Sequence, residues 1–305
     1  MSLRWGIVTA GKICHDFVNA FNSYPNKGDQ VIAAVAARDK TKAAAFAKTH
    51  SIAKVFDSYQ AMAVSKDIDV VYIGALNPDH YELAKMYLEN GKHVLCEKPL
   101  CLNYKQTESL IRFAKKKNLF LMEAVWSRFS PAYVALEKEI NAGKLGDIQY
   151  VEVNFGVPIA AVDRLRLKDL GGSAVLDIGI YTLQFAQFIF KEEPIKVTAI
   201  GDLNEDGVDL VDTVILDYKG GKKAVLIINS QVRLWNKATV YGSKGRATVL
   251  SNRVDNKMEV ARCIKQGLKE SPRMSHQESL LLAKLEDEIR KQVGVHFDVD
   301  DKEYP

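Results

Sequence analysis

A lysine that follows a short apolar segment, in Cys96-Glu97-Lys98-Pro99, is the first candidate for chemistry in this chain. A proline forces the residue before it into an extended conformation, so the segment predicts a strand that ends with the Lys98 side chain at the sheet edge. With Glu97 beside it in a ligand crevice, Lys98 is a candidate for proton relay or charge stabilisation. The alternative, a solvated surface lysine, stays open on this pattern alone.

The turn after the first apolar segment is a candidate phosphate site. The dinucleotide fingerprint G-x-G-x-x-G needs small residues, because backbone N–H groups must approach a pyrophosphate at a helix N-terminus. Its glycine positions fall on Thr9, Gly11 and Cys14, so only the middle glycine is present. The match is weak, but it lies in the first strand-to-helix turn, where the fingerprint belongs. The Thr9 hydroxyl could donate to phosphate, and a plain loop with one glycine is the alternative.

The end of the second predicted strand bears on the choice of nucleotide. NAD-binding folds usually place an acidic residue here to hold the ribose 2′-hydroxyl, whereas this chain reads Ala36-Ala37-Arg38-Asp39. A guanidinium can form two hydrogen bonds to the 2′-phosphate of NADP and can stack on adenine. Arg38 therefore favours NADP. Asp39 would favour NAD if it pointed inward, and a plain surface arginine is the third interpretation.

Apolar segments alternate with helical patterns through the first half of the chain. The segments lack strict polar–apolar alternation, which is typical of strands buried on both faces of a parallel sheet. They predict a doubly wound α/β domain, the Rossmann fold, over residues 1–125. The predicted strands are 3–8, 30–37, 70–75, 93–96 and 119–124, and the predicted helices are 12–21, 41–50, 78–90 and 104–117.

The second half has a different pattern. Residues 148–155 alternate between polar and apolar, as a half-exposed strand should, and residues 172–190 form a helical pattern. These and further strand-like runs predict an α+β domain with a mostly antiparallel open sheet over residues 126–305. The other predicted strands are 197–202, 213–218, 224–232, 238–241 and 246–250, and the closing helices are 257–269 and 277–293. The last helix is expected to return to the first domain.

Composition excludes several classes of protein. Hydrophobic residues make up 47% and charged residues 26% of the 305 residues, which is ordinary for a globular protein. The net charge of +4 indicates neither nucleic-acid binding nor a polybasic membrane anchor, and no apolar run approaches the ~18 residues that span a bilayer. The four cysteines lack the spacing of a zinc site, so no metal is expected. Sparse cysteines and no signal pattern predict a cytoplasmic protein.

Four motifs resemble, in their order and spacing, the glucose–fructose oxidoreductase/inositol dehydrogenase family: G-I-V-T-A-G-K-I, N-P-D-H, C-E-K-P and G-G-S-A-V-L-D-I-G-I-Y. E-K-P after the fifth strand is the most specific of them. The stretches V-A-A-R-D, L-F-L-M-E-A-V-W-S-R-F and the final G-L-K-E-S-P are similar to the dimeric dihydrodiol dehydrogenase branch in particular. The resemblance covers nearly the whole chain.

The resemblance implies an oxidoreductase that uses NADP to oxidise trans-dihydrodiols of aromatic hydrocarbons, and D-xylose at C1. It also implies a homodimer that pairs through the second-domain sheet. Residues 224–232 are apolar at successive positions, so both faces of this strand are expected to be covered. The candidate cofactor contacts are Thr9, Gly11, Lys12, Ile13, Arg38, Leu76, Asn77, His80, Glu97, Lys98, Trp126 and Arg128. For His80 a purely structural role stays the alternative.

The catalytic residues follow by carrying the family pattern over to this chain. The family places a catalytic base four residues after an aspartate, which gives Asp177 and Tyr181; the wider family has His as the base, and the dihydrodiol branch has Tyr. A spacing of four puts both on one helix face. Tyrosine is a poor base at its ordinary pKa of about 10, and a nearby ammonium lowers that pKa. We therefore expect Lys98 to stabilise the Tyr181 phenolate, and Asp177 to orient Lys98 or a substrate hydroxyl. The alternative for Tyr181 is a packing aromatic.

Aromatic residues are expected to shape the substrate site. Trp126, Arg128 and Phe155 match positions that line the nicotinamide and substrate region in the branch, and an aromatic wall suits a dihydroarene ring. Core or interface packing is the alternative for each. Trp126 and Phe155, together with the two catalytic candidates Asp177 and Tyr181, are the predicted substrate contacts.

One passage departs from the branch. After Leu250 the chain runs through residues 251–255 directly into a helix, whereas the branch has a longer passage with aromatic residues that close over the substrate. A different sugar or polyol dehydrogenase therefore stays an alternative. A regulator that senses NADP without turnover is a second one, and the intact Lys98, Asp177 and Tyr181 argue against it.

Overall fold

The computed structural model describes residues 2–23, 28–250 and 257–305. Six parallel strands form the first sheet. Its elements, in chain order, are β1 (Leu3–Val8), α1 (Lys12–Ser23), β2 (Gln30–Ala36), α2 (Lys40–His50), β3 (Lys54–Phe56), α3 (Tyr59–Val64), β4 (Val70–Ile73), α4 (His80–Glu89), β5 (His93–Cys96), α5 (Tyr104–Lys117) and β6 (Leu121–Glu123). The strand order β3-β2-β1-β4-β5-β6 is that of a doubly wound dinucleotide-binding fold, so the predicted Rossmann fold is confirmed.

A second six-stranded sheet follows. Its elements, in chain order, are α6 (Pro131–Asn141), β7 (Ile148–Gly156), α7 (Asp163–Arg166), α8 (Ile180–Phe190), β8 (Lys196–Leu203), β9 (Asp209–Asp217), β10 (Lys223–Asn229), β11 (Lys237–Gly242), β12 (Gly245–Leu250), α9 (Lys257–Lys265) and α10 (His276–Val293). The order is β12-β11-β7-β10-β9-β8, and β7 with β10 is its one parallel pair in the described strands. The predicted, mostly antiparallel sheet is confirmed.

The helical pattern predicted over residues 172–190 is interrupted. A π-helical turn, Val175–Gly179, precedes α8. An 18-residue window within the stretch Lys168–Phe190 has a mean hydropathy of 1.3, so by length and composition alone this helix could cross a membrane, and the expectation that no run approaches this length is wrong by this measure. Within the protein, 78% of that window is buried, because a helix that is apolar on all sides can serve as the centre of a domain core.

The turn between β1 and α1 replaces two of the three fingerprint glycines. Thr9 has φ 83°, in the left-handed region that favours glycine. Its hydroxyl donates to the backbone oxygen of Gly74 at 2.7 Å and so holds the threonine in this conformation. The hydroxyl is thus directed at the neighbouring strand end, and its donation to phosphate stays a prediction.

The space that the third fingerprint glycine would supply comes instead from Gly74. Cys14 is fully buried in α1, and a Cβ atom on Gly74 would lie only 2.6 Å from Cys14 Sγ and 2.9 Å from Ile13 Cγ2. Because a real side chain cannot approach so closely, the bare backbone of Gly74 is what lets α1 pack against the end of β4. The glycine that permits close packing thus lies at the end of β4, opposite the helix, and not in the helix itself.

Helix α10 links the two sheets. Its N-terminus is closed by a capping box between Ser275 and Glu278. Further along, Ser279 Oγ donates to Glu123 Oε2 at the end of β6 over 2.6 Å. In the last turn of the helix, Gln292 Oε1 accepts from the backbone of β8 over 2.8 Å. The last helix of the chain therefore contacts the first sheet at one end and the second sheet at the other.

The exchange of glycine positions predicts coupled mutations. Gly74→Ala should lower the free energy of unfolding by about 1–3 kcal/mol, because it overpacks the contact with Cys14. Cys14→Gly alone should cost about 1 kcal/mol or more through helix propensity and lost packing. The double variant should lose less than the sum of the two by roughly 0.5–3 kcal/mol, as measured by urea unfolding.

Gly245→Ala is the control, since its new Cβ would meet nothing closer than 3.8 Å and should leave stability almost unchanged. Strictly additive losses in the double variant would contradict the exchange.

Candidate active site

The ammonium group of Lys98 is the centre of the candidate site. Lys98 follows β5, and its Nζ lies 2.9 Å from Asp177 Oδ1 in the π-helical turn, where it also donates to the backbone oxygen of Asp177. The same Nζ lies 5.2 Å from the centre of the Tyr181 ring. The structure thus brings the three predicted catalytic residues together, one from the first sheet and two from the helical segment of the second domain.

The carboxylate of Asp177 is held between two cations. Both Lys98 Nζ and Arg164 Nη1 donate to its Oδ1, at 2.9 Å and 2.7 Å. Burial raises the pKa of Asp177, but the charges of Lys98 and Arg164 outweigh burial and bring this pKa to about 2. Burial likewise lowers the pKa of Lys98, but Asp177, Tyr181 and Glu97 together more than offset burial, so this pKa lies above its usual range. Both groups are charged at neutral pH.

Tyr181 stands among aromatic rings. Its phenol oxygen accepts a hydrogen bond from Trp126 Nε1 at 2.7 Å, and its ring lies 5.2 Å from the Trp126 ring and 5.4 Å from the Phe155 ring. Trp126 and Phe155 therefore border the reactive oxygen. An open cavity adjoins these three rings and is also lined by Tyr133, Val153, Phe185, Asn236 and Leu250.

The pKa of Tyr181 departs from expectation. Burial raises it above the ordinary value of phenol, and the lowering effect of Lys98 is smaller than that of burial. The prediction that Lys98 brings this pKa below its ordinary value is therefore wrong for the protein in this state. The physical reason is the burial of the phenol, which outweighs the charge of Lys98, and the charges of Glu97 and then Asp177 act in the same direction as burial.

The predicted departure from the branch, residues 251–255, lies outside the described residues. Leu250, which contributes to the cavity wall, is the last described residue before it.

Arg38 follows the carboxyl end of β2, and its charged side chain is exposed. Its side chain is 73% exposed and forms a long ion pair of 3.8 Å with the Asp79 carboxylate, and such exposed pairs are weak. Asp39 instead caps the N-terminus of α2, because its Oδ1 accepts hydrogen bonds from the backbone N–H groups of Thr41 and Lys42 at 2.9 Å and 3.1 Å. The carboxylate that would favour NAD is thus used as a helix cap.

The turn after β1 fits a dinucleotide phosphate. Gly11, Lys12 and Ile13 are exposed, and the first turn of α1 carries no acidic side chain. A Cβ on Gly11 would meet only Thr9 Oγ1 and the Gly74 oxygen, at 3.7 Å and 3.8 Å, so the surface over this turn is open. An exposed helix N-terminus with no acidic side chain in its first turn suits a pyrophosphate.

Two predicted cofactor contacts, His80 and Glu97, are buried below the carboxyl ends of the strands of the first sheet. His80 has no exposed surface, and its nitrogens lie 2.8 Å from the Pro99 oxygen and 3.2 Å from the Ala75 oxygen. It therefore ties two strand ends together, and the structural role is the better interpretation. Glu97 is 9% exposed and accepts from the Tyr72 hydroxyl at 2.6 Å; burial raises its pKa.

Three other predicted contacts differ in position. Leu76 and Asn77 are half-buried, and Asn77 Nδ2 donates to the Gly171 oxygen at 3.0 Å, which joins this loop to the second domain. Arg128 is 5% exposed. It donates to Gln184 Oε1 at 2.8 Å and to Glu278 Oε1. Arg128 therefore connects α8 and α10, because its charge is compensated within the core instead of facing the crevice.

Sequence reasoning missed Arg164. It lies on α7, a helix of four residues in a stretch without periodic pattern, and its partner Asp177 is thirteen positions further on. Nothing in the spacing indicates this pair. A resemblance carried over residue by residue supplies only the motif positions themselves, so a residue outside the motifs that contacts one of them is not found.

Comparisons with known proteins agree with this arrangement. Residues 3–125 match the family model described as "Oxidoreductase family, NAD-binding Rossmann fold" and residues 133–248 match the GFO/IDH/MocA C-terminal domain. Trans-1,2-dihydrobenzene-1,2-diol dehydrogenase of Xenopus tropicalis is 40% identical, over 97% of this chain and 100% of the relative. The enzyme of that name from Homo sapiens is 36% identical, over 98% of this chain and 99% of the relative.

Among solved structures, KijD10, a 3-ketoreductase from Actinomadura kijaniata in complex with NADP and TDP-benzene, has a similar fold. The TM-score is 0.82 at 22% identity, and the match covers 96% of this chain and 98% of that one. At this identity the likeness concerns the fold alone.

Both halves of the chain match one family, and the relatives extend over nearly its full length. The chain therefore belongs to the GFO/IDH/MocA family of NAD(P)-binding oxidoreductases, in the branch of the trans-1,2-dihydrobenzene-1,2-diol dehydrogenases.

Proposed function

We propose that the chain is an NADP-dependent dehydrogenase that oxidises a hydroxyl group of a trans-dihydrodiol or of an aldose such as D-xylose. The observation that carries this proposal is the position of the Lys98 ammonium, between Asp177 Oδ1 and the Tyr181 ring. The names of the two relatives support the diol as substrate. The aromatic residues Trp126 and Phe155 beside Tyr181 suit a flat, apolar ring.

A bound nicotinamide supplies the hydride acceptor that this chemistry requires. Tyr181 takes the proton from the substrate hydroxyl. Its oxygen already accepts from Trp126 Nε1, a hydrogen bond that strengthens when the oxygen becomes negative. Lys98 stabilises the phenolate and the alkoxide that develops on the substrate. Asp177 keeps the Lys98 ammonium in place through the contact between Nζ and Oδ1.

The protonation state of Tyr181 decides whether it assists oxidation of a hydroxyl or reduction of a carbonyl at a given pH. Because burial raises its pKa, Tyr181 is a phenol at neutral pH and can donate a proton, which suits reduction of a carbonyl group. Oxidation needs the phenolate, so its rate should rise as the pH increases through the alkaline range.

The preference for NADP rests on Arg38. A 2′-phosphate needs a cation that is accessible and not tightly paired, and Arg38 is 73% exposed in a long, exposed ion pair of 3.8 Å with Asp79. The commitment of Asp39 to the cap of α2 removes the carboxylate that would repel this phosphate. Thr9, Gly11, Lys12 and Ile13 would form the turn that holds the pyrophosphate.

A homodimer is the proposed assembly. One face of β10 is covered, since Ala224, Leu226 and Ile228 have no exposed surface. The other face was expected to be covered as well, but in the single chain it is only half-buried, and Ile200 on the same face is 69% exposed. A second copy that packs sheet to sheet would cover these apolar residues. We place the protein in the cytoplasm, where its free, buried cysteines would remain reduced.

Tyr181→Phe tests the proton acceptor. The change removes one oxygen, so the fold and NADP affinity should stay almost unchanged while turnover of the diol falls by roughly 10²–10⁴. Tyr218→Phe is the matched control, because Tyr218 is a buried tyrosine that packs on Phe190, and it should retain normal turnover. Near-normal turnover of Tyr181→Phe would remove Tyr181 from this role.

A pH profile adds a second measurement. Lys98→Met should move the alkaline rise in the oxidation rate to higher pH, because Lys98 no longer lowers the Tyr181 pKa.

Arg38→Ala tests the choice of nucleotide. Loss of one charge-assisted phosphate contact should weaken NADP by roughly ten- to a hundredfold and leave NAD little changed. Dissociation constants from calorimetry would measure both. Lys48→Ala, at the other end of α2, is the control and should affect neither nucleotide. Equal weakening of NAD and NADP would contradict the assignment.

Light scattering tests the dimer. At micromolar concentration the protein should show twice the chain mass of 34.0 kDa. Ile200→Lys should shift the population toward single chains, because it places a charge on the apolar face, whereas Val64→Lys, at an equally exposed site of the first domain (61% exposed), should not. A single-chain mass for the unmodified protein would exclude this assembly.

A further inference from the structure

We infer that Arg164 and Asp177 together bind a second hydroxyl of the substrate, adjacent to the one that is oxidised. The inference rests on the proposed function. It assigns to the site a preference for vicinal diols over alcohols with a single hydroxyl group, and it assigns Arg164 a direct contact with the substrate.

Arg164 has donors to spare. In the described part of the chain, its side chain makes one hydrogen bond, from Nη1 to Asp177 Oδ1 over 2.7 Å. The side chain remains 46% exposed in spite of this ion pair. A guanidinium carries five N–H donors in a fixed plane, so most of the donors of Arg164 are open next to Asp177.

Asp177 has an acceptor to spare. Its Oδ1 receives both cations, Lys98 and Arg164, while Oδ2 accepts no hydrogen bond from any residue that the structure describes. The side chain is 11% exposed, which is enough for a contact with a small ligand. An ionised carboxylate only accepts hydrogen bonds, so a group that meets Oδ2 must donate.

A hydroxyl group satisfies both partners at once. It can donate its proton to Asp177 Oδ2 and accept an N–H from Arg164. The Tyr181 ring lies 5.2 Å from the Lys98 Nζ that is bonded to the same carboxylate, so the reacting hydroxyl and this second hydroxyl would be near neighbours on the substrate.

The charges agree with a neutral, polyhydroxylated substrate. Lys98 and Arg164 are positive and Asp177 is negative, so the group has one net positive charge, which stabilises an alkoxide during proton removal. The other side of the site is the aromatic wall of Trp126 and Phe155. The arrangement therefore fits two adjacent hydroxyls on the edge of a ring whose face is apolar. An alcohol without the second hydroxyl leaves polar groups unpaired, and such sites discriminate strongly.

Arg164→Met tests this assignment, with trans-1,2-cyclohexanediol and cyclohexanol as the two probes and saturating NADP. The variant should lower kcat/KM for the diol by roughly ten- to a hundredfold, mainly through KM. It should change the value for cyclohexanol less than about twofold. Where turnover of cyclohexanol is too slow, its inhibition constant against the diol replaces kcat/KM.

Arg166→Met is the matched control. Arg166 lies on the same short helix and is also 46% exposed, but it pairs with Asp163 instead of Asp177. It should leave both probes unchanged. Equal losses with diol and cyclohexanol in Arg164→Met would show that Arg164 acts only by holding Asp177, and would overturn the inference while the proposed function stands. An unmodified protein that oxidises no diol or sugar with either nucleotide would overturn both.

Discussion

The ion pair between Lys98 and Asp177 is the constraint on which the site depends. Both side chains are only 11% exposed, and a charge that loses its partner in such surroundings typically costs about 3–5 kcal/mol. The partners come from different domains, one after β5 and one in the π-helical turn. A shift between the two domains that breaks this contact without admitting water leaves the Lys98 ammonium unpaired, although Asp177 keeps Arg164. The pair therefore favours one relative orientation of the domains and holds Tyr181 close to the ammonium.

The same pair limits what Lys98 can do for Tyr181. An isolated ammonium would lower the pKa of the Tyr181 phenol. The negative charge of Asp177, which lies beside that ammonium, raises the same pKa. Arg164 restores part of the positive potential because it shares the Asp177 oxygen. Burial together with the balance of these charges, and not Lys98 alone, therefore controls how readily the phenol gives up its proton.

Much of the fold follows from the sequence, and less of the site does. The strands of the first sheet are recognisable because burial on both faces leaves apolar runs, and α5 is found to the residue because Asn103 caps it and an αL asparagine ends it. The three-residue strand β3 and the helix α7 are too short to carry a period. The positions of Lys98, Asp177 and Tyr181 come from a motif, but the sign of the Tyr181 pKa shift depends on burial. The inward placement of His80 and Arg128 depends on contacts with segments far along the chain.

The contacts of α10 have a consequence for how the protein is made. Glu123 is the last residue of the first sheet, and its hydrogen-bond partner Ser279 lies 156 positions later. At usual synthesis rates of about 5–20 residues per second, roughly eight to thirty seconds separate the two on the ribosome. During that interval the edge of the nascent Rossmann sheet lacks its covering helix and carries a carboxyl group whose seryl partner has not yet been translated. The N-terminal domain is therefore synthesised first, but its contacts are complete only when α10 has been synthesised. During this interval a chaperone could occupy the surface that α10 later covers.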